Sequence, residues 1–484
     1  MIDNYKIAAK NTLVVGGAQV VQMGSALLRA KLIAVVLGSL GVGINSLFLS
    51  SLLVFQQVSS MGIYQSGVRE MSITYGDNNV DFARIKWTFF KLSRYCGLFG
   101  IVVMILMSPI LSFLLFGGLS KTLHFICLSF ALYFMNQYNA ISSLLQATGN
   151  LKLMSKATII GTVTGLFVSV ACICSFKVGG IIPAMVGGYV CYWLAFKYVS
   201  RRILYPQLTE IPSNSEFIRN SKPIIKLGLV LMVSSVMITL FSFLLNAVIN
   251  EWGSVEEVGF YQSVVSIMSQ SLLIANIVLA SDFYPRLSVV NDDNMQVKQV
   301  VDQQIDLLLC IIVPISALLI VLAPLVVWIL YTSEFYVIID LIRISSLSLV
   351  ARIIWMIFSY IILAKGDKKS YFLYDALFGN SINFILSVVG FFLLGIKGIV
   401  IANVIGAIVV SVILGTVVSN KYGYVMDSKT FGKILGLGLV LVLLATISII
   451  ETHLILTVIS CIVCCILCFW SIRGFFKRMN LFNR

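Results

Sequence analysis

Charge is what this sequence has least of: 11% of its 484 residues are Asp, Glu, Lys or Arg, against 59% hydrophobic, and the mean hydropathy is +1.00. That scarcity excludes an ordinary water-soluble domain, in which about a quarter of residues are charged. Acids are scarcer than bases, 20 against 34, which leaves +14. In a soluble chain that excess would point to nucleic acid; in so apolar a chain, the placement of the bases along the loops carries the information, and no nucleic-acid partner is expected. A removable leader is also missing. Met1 to Thr12 has two lysines but no small-residue cleavage site after a short apolar core, so the first span is expected to stay.

Long apolar runs fill the rest. Windows of at least 17 residues lie near 11–37, 43–65, 92–116, 123–146, 157–176, 180–199 and 226–249, and again near 257–280, 306–330, 338–364, 371–394, 398–419, 434–450 and 454–472. The expected fold class is therefore an all-α polytopic membrane protein of about fourteen spans, or twelve without the last two. If the N-terminus is inside, 27 Lys and Arg fall on inner loops and termini and only Lys121, Lys177 and Lys397 on outer loops. Both termini are then cytoplasmic, in a multi-pass membrane protein. All ten cysteines lie in predicted spans. The C-x-x-C-like cluster Cys461, Cys464, Cys465 and Cys468 reads as packing, because a metal or redox site needs exposure or further ligands. No metal and no cofactor is expected.

The chain repeats itself at an offset close to 217. Ala147 to Lys152 after the fourth span matches Ala364 to Lys369 after the tenth; Arg69 matches Arg286; Gly38-Ser39 answers Gly253-Ser254. Gly180, Ala184 and Gly188 match Gly398, Ala402 and Gly406 with one residue inserted. Six spans per unit is even, so both units have one orientation, and a cavity between two six-helix lobes is expected. The expected divisions are an N-lobe at 1–199, a cytoplasmic linker at 200–225, a C-lobe at 226–419 and a C-terminal helix pair with a basic tail at 420–484. The linker's Arg201, Arg202, Arg219 and Lys222 obey the inside-positive bias or gather anionic lipid headgroups. The last helix pair packs on one lobe or helps to form a groove for a lipid tail.

Four cations lie inside spans: Arg29, Lys31, Arg343 and Arg352. At a turn of about 100° per residue, Gly16, Gln19, Gln22, Ala26 and Arg29 share one stripe, with Lys31 roughly opposite. An arginine near a helix centre costs ~2.5–3.5 kcal/mol, so it turns to a bundle interior or a watery cavity, or else it snorkels. Arg29 is about 28 Å along the helix from Lys10, which leaves both open from this helix alone. Arg352 lies about 20 Å from either end of the tenth span and cannot easily snorkel. Its face carries Ser345, Ser348, Trp355 and Ser359. Arg343 has Asp340 at i−3, the spacing of a structural ion pair. By the repeat, Arg29 corresponds to Asn246, and Arg352 lies beside the counterpart of Asn136. Asn136 heads a stripe with Asn139, Ser143 and Gln146; Asn246 closes one with Ser235, Thr239 and Ser242. Such amides commonly glue helices. Glue does not call for two central arginines without an acid on their faces, so Arg29, Arg352, Gln22, Gln19, Asn136, Asn246, Lys31, Asn139 and Trp355 are the candidate substrate contacts.

These features resemble the Wzx-type flippases, O-antigen translocases of the multidrug/oligosaccharidyl-lipid/polysaccharide superfamily. The likeness rests on Arg29-Ala-Lys31-Leu-Ile-Ala-Val-Val-Leu-Gly38 with Gly41-Val-Gly43, on Gly67-Val-Arg69-Glu70, on Tyr284-Pro-Arg286-Leu-Ser288 and on the repeated loop at Gly149 and Gly366. It implies V-shaped lobes, alternating access, and a polyprenyl-diphosphate-linked oligosaccharide carried to the outer leaflet. With it come membrane lipids, a coupling ion (H+ or Na+) and a polysaccharide polymerase as partners. In the related lipid II flippases an arginine nine residues before the first-span Phe-Gly lies in a cationic cavity, a position that Arg29 holds before Leu37-Gly38; the arginines those relatives carry in the second and eighth spans are missing here. A cation-coupled multidrug exporter of the same superfamily is the alternative. It would need a buried carboxylate, and the interiors of the first and seventh spans contain none. A membrane enzyme is not expected, since outer loops of about a dozen residues or fewer leave no room for a catalytic domain and no loop pairs two carboxylates for it.

Overall fold

In lipid a backbone amide finds no water, so each crossing segment must close its hydrogen bonds within itself, and the helix is how one segment does so. The computed structural model obeys this: helix follows helix, and no strand occurs among the described residues. The backbone is described for residues 2–482 apart from 76–78, 204, 207, 209–211, 292 and 451–453. Side chains are described for the same residues apart from 2–14, 79, 230, 231, 234, 274, 280, 281, 454–457, 459, 472 and 475–482. The expected turn Glu451-Thr452-His453, the Lys10 side chain and the tail residue Arg484 lie outside the described residues.

By contacts the chain divides into two units, residues 1–251 and 252–484. The first contains α1 (Ile2–Ser60), α2 (Ile63–Thr74), α3 (Asn79–Phe116), α4 (Thr122–Ala147), α5 (Leu151–Phe176), α6 (Ile181–Ser200) and all but the end of α7 (Asn214–Trp252). Helix α1 is broken at Gly38, whose φ of 67° and ψ of −166° lie in a region essentially reserved for glycine. Met61 and Gly62, both with positive φ, separate α1 from α2.

The second unit contains α8 (Val255–Val278), a π-turn at Leu279–Phe283, α9 (Tyr284–Val289), α10 (Asn294–Val321), α11 (Ala323–Leu330), α12 (Ile339–Ser346) and α13 (Ser348–Ala364). After α14 (Lys368–Ser370) a π-helical stretch, Tyr371–Gly379, leads into α15 (Asn380–Tyr422), followed by α16 (Ser428–Ile450) and α17 (Leu454–Phe482). The C-terminal pair packs on α10. Lys433 reaches Asp306 at 3.0 Å, and the Tyr424 hydroxyl donates to Asp302 at 2.8 Å, so these two acids serve as anchors.

Eight helices among the described residues are long and apolar enough to cross a membrane, nine if the bent pair Ser333–Ser346 and Ser348–Ala364 is one span. Three of the eight, Val15–Ser60, Leu151–Ser200 and Lys368–Tyr422, have 46, 50 and 55 residues, more than twice the ~20 that one crossing requires. Each is interrupted near its middle, at Gly38, at Lys177–Gly180 and at Leu394–Gly395. Every one of the fourteen apolar windows falls on a helix or on helices in series.

The internal repeat extends to individual hydrogen bonds. After α4, Gly149 (φ 70°) closes the helix with Gly149 N–H to Gln146 and Asn150 N–H to Leu145, at 3.1 and 2.8 Å. After α13, Gly366 (φ 71°) does so with Gly366 N–H to Leu363 and Asp367 N–H to Ile362, at 3.0 and 3.3 Å. Both are glycine-terminated helix ends of one type. A tyrosine clasps each turn from beyond the sixth span of its unit: Tyr205 lies 3.2 Å from Thr148 Oγ1, and Tyr422 donates to Asp367 at 2.9 Å. Donation from the Ser370 N–H, together with Ser370, Tyr422 and Lys421 side chains, holds the Asp367 carboxyl well below the usual carboxylate range. The α5–α6 and mid-α15 corners match as well, with Lys177 at φ 50°, ψ −127° and Gly395 at φ 62°, ψ −145°.

The break in α1 yields a stability prediction. Gly38→Ala is expected to cost about 1–3 kcal/mol, seen as a lower Tm in detergent. Gly179→Ala, with nothing within 4 Å of the added methyl, should leave Tm unchanged. Equal Tm values for both variants would show that the chain does not need the break at Gly38.

Candidate functional site

In the first unit, α5 and α6 approach through small residues. Gly161 and Gly165 on α5 form a G-x-x-x-G face; a Cβ on Gly161 would lie 3.0 Å from the Tyr192 Cα, and one on Gly165 would lie 3.5 Å from the Gly188 Cα. Such close backbone approach is the usual packing solution in membranes, where lipid offers no hydrophobic drive between helices. It seats the Tyr192 hydroxyl 2.6 Å from Thr162 Oγ1 and within 3.4 Å of Gln22 Nε2 on α1. Tyr138 on α4 stacks with Tyr189 at 6.4 Å between centroids and an interplanar angle of 6°, and meets Tyr192 at 5.5 Å.

Between α1, α4, α5 and α6 these side chains enclose a cavity of about 360 Å³. Gln22, Ser25 and Arg29 line it from α1, Ser142 from α4, and Thr158, Thr162 and Ser169 from α5. Arg29 is exposed at its wall, close enough to act electrostatically on the Tyr189 hydroxyl, and pairs with no acid among the described residues. The site can offer one permanent cation, several hydroxyl groups, the Gln22 amide and aromatic faces.

The other candidates are placed differently. Asn136 is fully buried and its amide is spent inside the unit: it accepts from the Tyr64 hydroxyl and donates to Ser59 Oγ at 3.2 Å and to the Leu132 carbonyl at 2.7 Å. Asn139 is half-buried and hydrogen-bonded with Tyr138, while Gln19 and Lys31 are half-buried outside the cavity wall. Asn246 is buried on α7.

In the second unit Arg352 is half-buried on α13 and faces Tyr261, whose hydroxyl is hydrogen-bonded with Asn403; no acid among the described residues pairs with it. Arg343 meets Asp340 at 3.3 Å, the structural pair that its spacing implies. Trp355 and Ser359, on the Arg352 stripe, donate to Asp375 at 2.5 and 2.6 Å. Asp375 sits in the π-helical stretch and was not among the sequence candidates; its only sequence signal is an acid within an apolar run. Tyr138, Tyr189 and Tyr192 were missed too. The signal for the cavity was the polar stripe Thr158, Thr162, Gly165 and Ser169 on α5, at spacings of four, three and four.

A family profile described as polysaccharide biosynthesis protein matches residues 42–340, and one described as lipid II flippase MurJ matches residues 225–467. The lipid III flippase of Escherichia coli K12 is 23% identical over 386 residues, covering 75% of this chain and 87% of that protein, and the lipid III flippase of Shigella flexneri aligns equally well. Among solved structures, an inward-facing multidrug resistance MATE family transporter of the MOP superfamily superimposes with a TM-score of 0.72 at 16% identity, covering 88% of this chain and 98% of that one. The lipid II flippase MurJ in an inward closed conformation gives 0.71 at 15% identity, covering 97% and 100%. These structures share the fold, and since the first profile spans more than half of the sequence, the chain belongs to the polysaccharide biosynthesis protein family.

Proposed function

We propose that this protein moves a polyprenyl-diphosphate-linked oligosaccharide from the inner to the outer leaflet of the bacterial cytoplasmic membrane, supplying O-antigen or other surface polysaccharide. Movement is by alternating access of an N-lobe (1–199) and a C-lobe (226–419) joined by the linker at 200–225, with both termini cytoplasmic. The observation that carries the reading is the cavity in which Arg29, paired with no acid among the described residues, stands among hydroxyls and the Gln22 amide. A diphosphate matches the arginine fork and a string of sugars matches the neutral donors. Relatives named as lipid II and lipid III flippases support it. Arg352, likewise paired with no acid among the described residues, is assigned to the diphosphate or to a sugar acid. The chemistry is translocation without bond cleavage, driven by a coupling ion, H+ or Na+.

One observation favours a second reading. Asp375 is a carboxylate set among Trp355, Ser359 and Tyr371 within the spanning region, the kind of group that a cation-coupled multidrug exporter requires. The two readings separate in proteoliposomes. The purified protein is expected to move a polyprenyl-diphosphate oligosaccharide between leaflets with the diphosphate intact and to export no organic cation. Proton-coupled export of a cationic dye without lipid movement would establish the exporter instead.

Arg352→Ala is expected to abolish nearly all transport, Arg352→Lys to retain part of it, and Arg29→Ala to give a milder loss. All three should keep wild-type abundance, since removing a costly cation from a membrane helix does not destabilise it. Asn136→Ala is the contrast: it removes a fully buried amide that ties Tyr64, Ser59 and the Leu132 carbonyl together, at about 1–3 kcal/mol, so abundance should fall. Normal transport by Arg352→Ala, or loss of the variant through misfolding, would make Arg352 a packing residue.

Orientation is tested by single-cysteine labelling. Cysteines at Asn150, Tyr205 and Asp367 should label only from the cytoplasm and those at Ser120, Glu257 and Ile396 only from outside. External labelling at Asn150 would overturn the orientation.

A further inference from the structure

Arg29 accounts for only one wall of the first unit's cavity. The opposite chemistry is unusual for a membrane interior: three tyrosines, Tyr138, Tyr189 and Tyr192, from two helices, with their rings on the cavity and their hydroxyls set among Thr162, Gln22 and Asn139. Tyrosines that only filled space between helices would be dispensable to Phe or Leu, and their hydroxyls would need to be kept from lipid. Here they surround a void of about 360 Å³, within the range of about 300–1,000 Å³ that holds small-molecule ligands. An apolar polyprenyl chain gains nothing from Ser25, Ser142, Thr158 and Thr162 on the same walls. A diphosphate finds a single cation, at Arg29.

Resting on the flippase reading, we propose that this cavity is a sugar subsite: one pyranose ring of the lipid-linked oligosaccharide stacks on the Tyr138–Tyr189 pair, while the Tyr192–Thr162 pair and Gln22 read its hydroxyl or acetamido groups. A pyranose presents axial C–H bonds on one face and hydroxyls around its edge. The aromatic faces take the first and the rim takes the second, as an amphipathic ring with a polar handle can. Arg29 then lies on the side from which the anionic part of the substrate enters. Glycan preference of this flippase is accordingly set by α4, α5 and α6 of the N-terminal unit.

The test uses the purified full-length protein in detergent, titrated calorimetrically with two soluble probes, farnesyl diphosphate and farnesyl-diphosphate-N-acetylglucosamine. Tyr189→Leu and Tyr138→Leu are expected to weaken the sugar-bearing probe roughly three- to ten-fold, the range of one aromatic stacking contact, and to leave farnesyl diphosphate unchanged. Tyr189→Phe should restore the stacking and bind like the wild type, whereas Tyr192→Phe, which removes a rim hydroxyl only, should lose affinity for the sugar-bearing probe alone. If both probes weaken equally, or neither does, the sugar subsite is wrong while the flippase reading stands. If the wild type binds neither probe, the flippase reading itself fails and the subsite with it.

Discussion

A cation inside a membrane helix needs a partner, and the supply of partners in this chain is small. With 20 acids in 484 residues, the chain has few to give. Arg343 receives Asp340, Arg286 receives Asp282 at 2.5 Å, Lys421 receives Asp367 and Lys433 receives Asp306. Arg29 and Arg352 receive none among the described residues. Each of these two costs a few kcal/mol to insert unless an anion is brought to it, and the rest of the arrangement follows from that. The helices around Arg29 expose hydroxyls and tyrosine rings beside Leu166 and Met185, and a water-accessible cavity is the setting in which such a guanidinium is tolerated.

Corresponding corners of the two halves of the chain are built alike. The glycine-terminated turns at Gly149 and Gly366 share their hydrogen bonds, the tyrosines Tyr205 and Tyr422 clasp them in the same way, and the corners at Lys177 and Gly395 share a backbone conformation. Duplication supplies equivalent frames, and the side chains on them have diverged. Arg352 has the buried Asn136 close to its counterpart, and Arg29 has Asn246.

The fold was legible because lipid allows few solutions. The apolar windows and the glycine turns that end α4 and α13 follow from backbone satisfaction and composition, and both are found on the helices. Long helices such as α15 join two windows, since a kink at Leu394–Gly395 can separate crossings without ending the hydrogen-bonded run. The site was legible only in part. Gln22 and Arg29 line the cavity, as the first helix's stripe implies, because one helix face is a property of one sequence segment. Asn136 shows the same kind of stripe, yet its amide is consumed by Tyr64, Ser59 and Leu132, which depends on helices that sequence periodicity cannot bring together. The tyrosine wall was hidden for the same reason: Tyr138 and Tyr189 are far apart in the chain, and the glycine contact of α5 with α6 decides how α6 faces the cavity. Asp375 escaped because attention to the first and seventh spans leaves the eleventh out.

Arg29 and Arg352, paired with no acid among the described residues, take their anion from the substrate. The most direct measurement is the Tm of the purified wild type and of the Arg29→Gln/Arg352→Gln double variant, with and without a polyprenyl diphosphate. The wild type should gain several degrees with the lipid, while the double variant should match or exceed the lipid-free wild type and gain nothing. An equal gain in both proteins, or a double variant that melts well below the wild type without lipid, would contradict it.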